Sequence, residues 1–324
     1  MTEHMVADNP GSCRGPAGLT VTAGLIVTAG LTVFVRHARA MPLTNSADAV
    51  RAVVAVAASF GVNCSAPAVL SDGANVIVHL SPAPVVAKVA SVTTLVRPDP
   101  AAGLQRELDV ASFLARHGAP VGEPSPEIPA ATHTRGGSVM SFWRYLGPGG
   151  PVADEWTIGS MLRDLHGALR GYPGSVPALA PLRDVGEFLA RAETRLSATD
   201  KSLLAAAFAR LTAELDQGEP VAQVLHGDAG AGNLMAAGSG WVWHDFEDTC
   251  TGPVAWDLAA STASQRMDSA RILSAYGAEV DPAQLAVCER LRLLNLTVWY
   301  SLYAERFPRL RERAAELLAT WRTS

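Results

Sequence analysis

His226-Gly227-Asp228-Ala229-Gly230-Ala231-Gly232-Asn233-Leu234-Met235, resumed at Trp241-Val242-Trp243-His244-Asp245-Phe246-Glu247, sets two carboxylates and one amide into apolar and glycine-rich surroundings. The run 221–225 is apolar and strand-like and delivers Asp228 into a loop. Ala229, Gly230 and Gly232 suit a tight turn that folds back on a metal before Asn233, five positions on. Residues 234–235, the Gly-containing turn 236–240 and residues 241–243 predict a hairpin that returns Asp245 to the level of Asn233. A hydroxyl that attacks the terminal phosphate of a nucleoside triphosphate is oriented by one carboxylate, while magnesium is held by a second carboxylate and an amide oxygen. Asp228, Asn233 and Asp245 fit those three roles. Either carboxylate alone would read as a turn or cap residue; the order of all three carries the functional reading.

On these motifs the chain resembles the aminoglycoside phosphotransferase and choline kinase-like enzymes, relatives of the protein kinases, from about residue 48 to the C-terminal helices. The resemblance implies that Asp228 is the catalytic carboxylate that accepts or orients the substrate proton. It implies that Asn233 and Asp245 hold magnesium and that His226 supports the loop. Trp256-Asp257-Leu258 also matches the family pattern, which would make Asp257 an acceptor for catalytic-loop backbone; its plainer role is an acid at a helix N-terminus.

Upstream, Val85-Val86-Ala87-Lys88-Val89-Ala90 places one charge inside an apolar strand, where an unpaired ammonium is costly to bury. Leu104, Leu108, Ala111, Leu114 and Ala115 repeat at helical spacing over 104–117, with Gly118 as a stop. Glu107 in its first turn is the expected partner of Lys88, the ion pair that directs a kinase lysine to the inner phosphates; Glu123 and Glu127 are the alternatives. Residues 66–90 read as strand, turn, strand, turn, strand, the hairpin expected over the nucleotide, with Ser71, Gly73 and Asn75 as candidate phosphate contacts or ordinary turn residues. No G-x-G-x-x-G or Walker-type lysine motif occurs there, which argues against a P-loop enzyme. A strand at 138–142 breaks into Gly and Pro, marking the hinge that would hydrogen-bond adenine; the candidates are Phe142, Trp143, Arg144 and Tyr145, with Leu146 against the ring.

Composition agrees. A chain of 324 residues suggests more than a single core, and 48% hydrophobic with 18% charged residues describes a globular protein. A net charge of −5 and the lack of a basic run give no nucleic-acid footprint. Cys13, Cys64, Cys250 and Cys288 are widely spaced, as reduced thiols of a cytoplasmic protein would be. Glu247 and Asp248 read as a solvated loop pair rather than as partners of a substrate ammonium, and His166 as a satisfied core histidine.

Residues 1–41 stand outside this pattern as an N-terminal extension. Within it, 19–35 is a nearly uncharged run with an internal echo, short for a membrane span and softened by threonine and glycine. An enzyme beginning at Met41 is preferred to a membrane anchor. Helical periodicity is read at 47–60, 156–169, 182–196, 200–215, 254–263, 284–307 and 310–321. Strands early and helices late predict an α+β, two-lobed protein-kinase-like fold: a β-rich lobe over 42–146 and a helical lobe over 147–324 carrying the catalytic loop and acceptor site. The expected function is transfer of the γ-phosphate of ATP, or GTP, with Mg2+, to a hydroxyl of a small molecule, without nucleic-acid or membrane partners. An idle kinase-like nucleotide-binding module and a metal phosphohydrolase are the rivals, and neither the acceptor nor the oligomeric state is legible.

Overall fold

In the computed structural model, which describes residues 45–323 apart from 98, 149, 192–195, 217–221, 239, 265 and 278, the alternation in the early strands sorts their side chains to two faces. Val76 and Val78 of β2 (Asn75–His79) and Val85, Ala87 and Val89 of β3 (Val85–Ala90) are fully buried against Ala49, Val53 and Ala57 of α1 (Ser46–Ser59). Successive strand residues point to opposite faces, so Lys88 leaves by the other side. With β1 (Ala68–Asp72), β4 (His133–Arg135) and β5 (Ser138–Arg144), these strands form an antiparallel sheet of order β1-β2-β3-β5-β4. Lys88 sits on the central strand, between Ile77 and Ser141.

Helix α2 (Pro100–Arg116) begins four residues before its apolar repeat. The Asp99 carboxylate accepts from the amides of Ala101 and Ala102, and Pro100 occupies the first turn, where its missing N–H costs nothing. No pattern in the sequence marks β4, three residues long, or α7 (Ser269–Tyr276), two turns capped by Asp268. Periodicity needs more residues than either supplies.

The remaining helices are α3 (Glu155–Leu169), α4 (Ala180–Ala190), α5 (Ala198–Asp216), α6 (Val254–Ser261), α8 (Pro282–Arg306) and α9 (Arg311–Arg322). They build two apolar cores: one joins α4, α5, α8 and α9 around Trp256, the other joins the end of α2 to α3, α7, Trp243 and Phe246. Helices α3 and α7 cross closely at Gly159, where a Cβ would lie 2.8 Å from that of Ala275 and 2.9 Å from the Tyr276 amide. The result is an α+β architecture of two lobes, a sheet lobe and a helical lobe.

The lobes are stitched where the site lies. The amide of Gly122 donates to Trp243 O at 2.8 Å and that of Trp243 to Pro120 O at 3.0 Å, joining the segment after α2 to the hairpin of β7 (Leu234–Ala237) and β8 (Gly240–Trp243). The expectations on residues 1–41, including the run 19–35, lie outside the described residues, among which no helix is long and apolar enough to cross a membrane.

Candidate active site

The loop that bears Asp228 is held from below by a buried carboxylate. Strand β6 (Ala222–Leu225), paired with β9 (Cys250–Pro253), ends at Leu225 in the core. The next two amides, of His226 and Gly227, donate to the two oxygens of Asp257 at 2.8 and 2.9 Å. Asp257, fully buried on α6, also meets His166 Nε2 at 3.0 Å, and His166 Nδ1 meets the Tyr276 hydroxyl at 2.9 Å. Burial opposes the Asp257 charge, but the hydrogen bond and charge of His166, with His226, hold its pKa below the ordinary carboxylate range. His166 is thus a satisfied core histidine.

The His226 ring links the two functional loops. Nε2 faces the His244 carbonyl at 3.0 Å, Nδ1 faces the Asp228 amide at 3.3 Å, and the ring packs on Phe246. Both contacts are satisfied by the tautomer that carries its proton on Nε2. Beside it, Gly227 has φ +88°, and a Cβ there would sit 2.5 Å from the carbonyl carbon of Asp248 and closer still to its oxygen. Only glycine lets the loops approach this far.

Asp228 is clamped at both oxygens. Oδ2 accepts from Asn233 Nδ2 at 3.1 Å, and Oδ1 is paired with Arg292 from α8. Burial works against its charge, yet the Arg292 charge and hydrogen bond outweigh it and hold its pKa low. The Asn233 nitrogen also donates to Asp228 O at 2.7 Å, which leaves its amide oxygen as the atom for a cation.

The β7–β8 hairpin pairs Leu234 with Trp243, and the His244 amide donates to Asn233 O at 3.0 Å, so Asp245 returns beside Asn233. Asp245 adopts φ +68°. For a residue other than glycine that backbone costs about 1–3 kcal/mol and is held only by its surroundings. One constraint is Lys88, whose Nζ lies 2.5 Å from Asp245, 2.9 Å from Glu107 and 3.3 Å from Glu247. These three carboxylates come within 4.8 Å of one another, and the lysine ammonium is the cation among them. Burial disfavours that ammonium, but Asp245, Glu107 and Glu247 overcome it and keep it charged well above its usual range.

One ammonium serves three carboxyls, and the shares differ. Lys88 overcomes burial at Asp245 and holds its pKa low, whereas burial dominates at Glu107 and pushes its pKa up to about 8. Unfolded, a glutamate releases its proton near 4.5; folded, Glu107 keeps it to about 8, so between those values the native state binds more protons and stability falls as pH rises. Without divalent cations, urea melts of wild type from pH 5 to pH 8.5 should therefore lose stability more steeply than those of Glu107→Gln; equal slopes would contradict this assignment.

Glu247 and Asp248 are not a solvated pair. Glu247 is 7% exposed and is bonded by Asn75 Nδ2 at 3.2 Å, and both acids face the buried Arg97, which also holds Asp184 of α4 at 2.7 Å. Their position beside the metal-type carboxylate was legible, but the arginine that draws them inward lies some 150 residues upstream and shares no local motif.

The other sequence candidates occupy varied positions. Asn75 is buried, its oxygen accepting from Thr93 at 3.1 Å and its nitrogen on Glu247, so it ties the covering hairpin to the metal-type loop. Ser71 is exposed and Gly73 lies in the turn between β1 and β2. Neighbouring Asp72 is anchored by Ser46 and by Arg306 of α8 at 2.6 Å. At the hinge, Phe142 is buried in the core facing α1, Trp143 donates from Nε1 to Ser141 at 2.9 Å, Arg144 is exposed and Tyr145 stacks on His79 at 3.9 Å. Phe142 O, the Arg144 amide and the Tyr145 amide are bonded to Ser125, Glu123 and Pro84, and Leu146 is half-buried just beyond.

Arg97 and Arg292 are the side chains that sequence reasoning missed. Arg292 interrupts an apolar stretch, Leu291-Arg292-Leu293-Leu294, and is 7% exposed. The argument that made Lys88 need a partner applied to it equally.

A two-lobed kinase-like fold with this constellation defines a class, and comparison with known proteins gives its members. The model of the phosphotransferase enzyme family matches residues 74–294, and the chain belongs to that family. A choline/ethanolamine kinase family protein from Mesorhizobium loti is similar in fold at 17% identity and a TM-score of 0.58, covering 86% of this chain and 94% of that one. Amicoumacin kinase hAmiN, solved with AMP-PNP, Ca2+ and Ami, gives 13% identity and a TM-score of 0.59 over 79% and 87%. The GDP complex of aminoglycoside 2'-phosphotransferase-IIIa gives 15% and 0.55 over 84% and 97%. No curated protein matches the sequence.

Proposed function

We propose that this phosphotransferase moves the γ-phosphate of ATP, or of GTP, to a hydroxyl of a small molecule, with Asp228 receiving or orienting the hydroxyl proton. The observation that carries this reading is that the β7–β8 hairpin brings Asp245, paired with Lys88, back beside Asn233, which is bonded to Asp228. Lys88 steadies the inner phosphates from β3, and the hinge past Tyr145, at Leu146, meets the base. Asp245 and the Asn233 oxygen form a hard, oxygen-only donor set of the kind magnesium takes. Bound there, magnesium would neutralise phosphate charge as transfer proceeds. The relatives solved with AMP-PNP and Ca2+ and with GDP support nucleotide and divalent-cation use. In this scheme residues 42–146 cover the nucleotide and 147–324 supply the catalytic loop and acceptor site.

The phosphohydrolase alternative, prompted by His244-Asp245 with His226 nearby, is disfavoured at His226, both of whose ring nitrogens are engaged inside the fold. Asp245→Ala is expected to abolish magnesium-dependent binding of ATP. Titration calorimetry of the variant with and without Mg2+ checks it, and affinity that still rises with Mg2+ as in wild type would count against the ligand assignment.

A further inference from the structure

The residue that grips Asp228 from the far side of the helical lobe has no counterpart in the short motifs. Arg292 projects from α8 and is buried to 7% exposure, with its guanidinium 5.0 Å over the Trp256 ring. One terminal nitrogen donates to Gly227 O at 3.3 Å and the other to Asp228 Oδ1. Gly227 O also accepts from Trp256 Nε1 at 2.8 Å. Arg292 therefore touches the backbone before the carboxylate and the carboxylate itself, stacked on the side chain that holds the same carbonyl.

Packing alone does not account for an arginine here. Its Nε is buried without a hydrogen-bond partner among the described residues. A hydrophobic side chain of similar volume commonly serves stability as well as or better than a buried ion pair. Asp228 keeps 39% of its side chain exposed, while the arginine that reaches it is 8% exposed. What the arginine supplies is direction: one arm of its planar donor fork fixes Oδ1 while the other holds Gly227 O, Asn233 fixes Oδ2, and the remaining lone pairs have one orientation.

We propose that Arg292 is a positioning residue for phosphoryl transfer, orienting the Asp228 carboxylate towards the acceptor hydroxyl; the inference rests on the reading of Asp228 given above. Through it, α8 reaches the Asp228 carboxylate.

The test uses the full chain and Mg·ATP, with ADP release followed both with water alone and with the alcohol that a screen of hydroxylated compounds returns. Arg292→Met should fold, bind ATP within about threefold of wild type and lose about a hundredfold or more in kcat. Arg292→Lys should recover part of that loss, and guanidinium added to Arg292→Ala should restore part of its turnover. Arg292→Met turning over within about threefold of wild type would overturn the proposal. So would a parallel fall in ATP affinity, melting temperature and kcat without guanidinium rescue, the mark of a structural arginine. Asp228→Asn run alongside separates the failures: if it is inactive while Arg292→Met is active, only the arginine inference falls, and if it is active, the Asp228 reading falls and takes the inference with it.

Discussion

Asp228→Ala is expected to lower turnover of ATP by about three orders of magnitude, the middle of the range for removal of a positioned general base, while ATP affinity changes little. Asp228 is bonded to Asn233 and Arg292 and not to Lys88, so the nucleotide contacts proposed for Lys88 and the hinge should survive its loss. The alanine variant carries a second penalty, because Arg292 is left buried with only Gly227 O to receive it. Orphaning a buried ion-pair partner costs about 3–5 kcal/mol, enough to blur a kinetic reading with unfolding. Asp228→Asn avoids this: its amide oxygen still accepts from Arg292, but it cannot take a proton. Both variants should lose turnover alike and only the alanine should melt early. A fully active Asp228→Asn would remove the carboxylate from the chemistry.

Gly227→Ala should be nearly as damaging to activity and clearly worse for folding. Two effects add. The methyl group meets the Asp248 carbonyl well inside contact distance, and alanine is strained at φ +88°. Together an over-packed contact and an incompatible backbone angle amount to about 2–4 kcal/mol. The clash pushes the catalytic loop away from the loop bearing Asp245, so the loss should appear as lowered kcat together with weaker magnesium dependence, along with a depressed thermal midpoint. If Gly227→Ala retains wild-type turnover and melting, the two loops do not depend on that close approach.

The residues proposed to carry the chemistry were legible as candidates because each is tied to a short local pattern. Asp228, Asn233 and Asp245 sit in one loop and hairpin, and the same hairpin register that sequence alternation predicts brings Asn233 level with Asp245. Lys88 was legible for a different reason, as a charge that an apolar strand cannot leave unpaired, and Glu107 lies 2.9 Å from it. The three phosphate-loop candidates were harder to separate. Ser71 and Asn75 flank the turn that holds Gly73, but Asn75 is drawn inward by Glu247, 172 positions away. Arg97 escaped for the same reason, since its three carboxylates come from α4 and from the residues after Asp245. Local patterns report local geometry; ion pairs between lobes are chosen by the folded chain.

The acceptor was not legible at all. Alcohol pockets are built from variable helical side chains, and a motif that fixes phosphoryl chemistry says nothing of which hydroxyl arrives.

The most direct test of the central claim is phosphorus NMR of Mg·ATP incubated with the full chain and a panel of hydroxylated antibiotics, sugars, amino alcohols and amino acids. The account predicts a new phosphomonoester resonance with one acceptor class, matched by ADP and lost in Asp228→Asn. ATP left at the level of a protein-free blank across the panel, or a phosphomonoester that persists in Asp228→Asn, would contradict it.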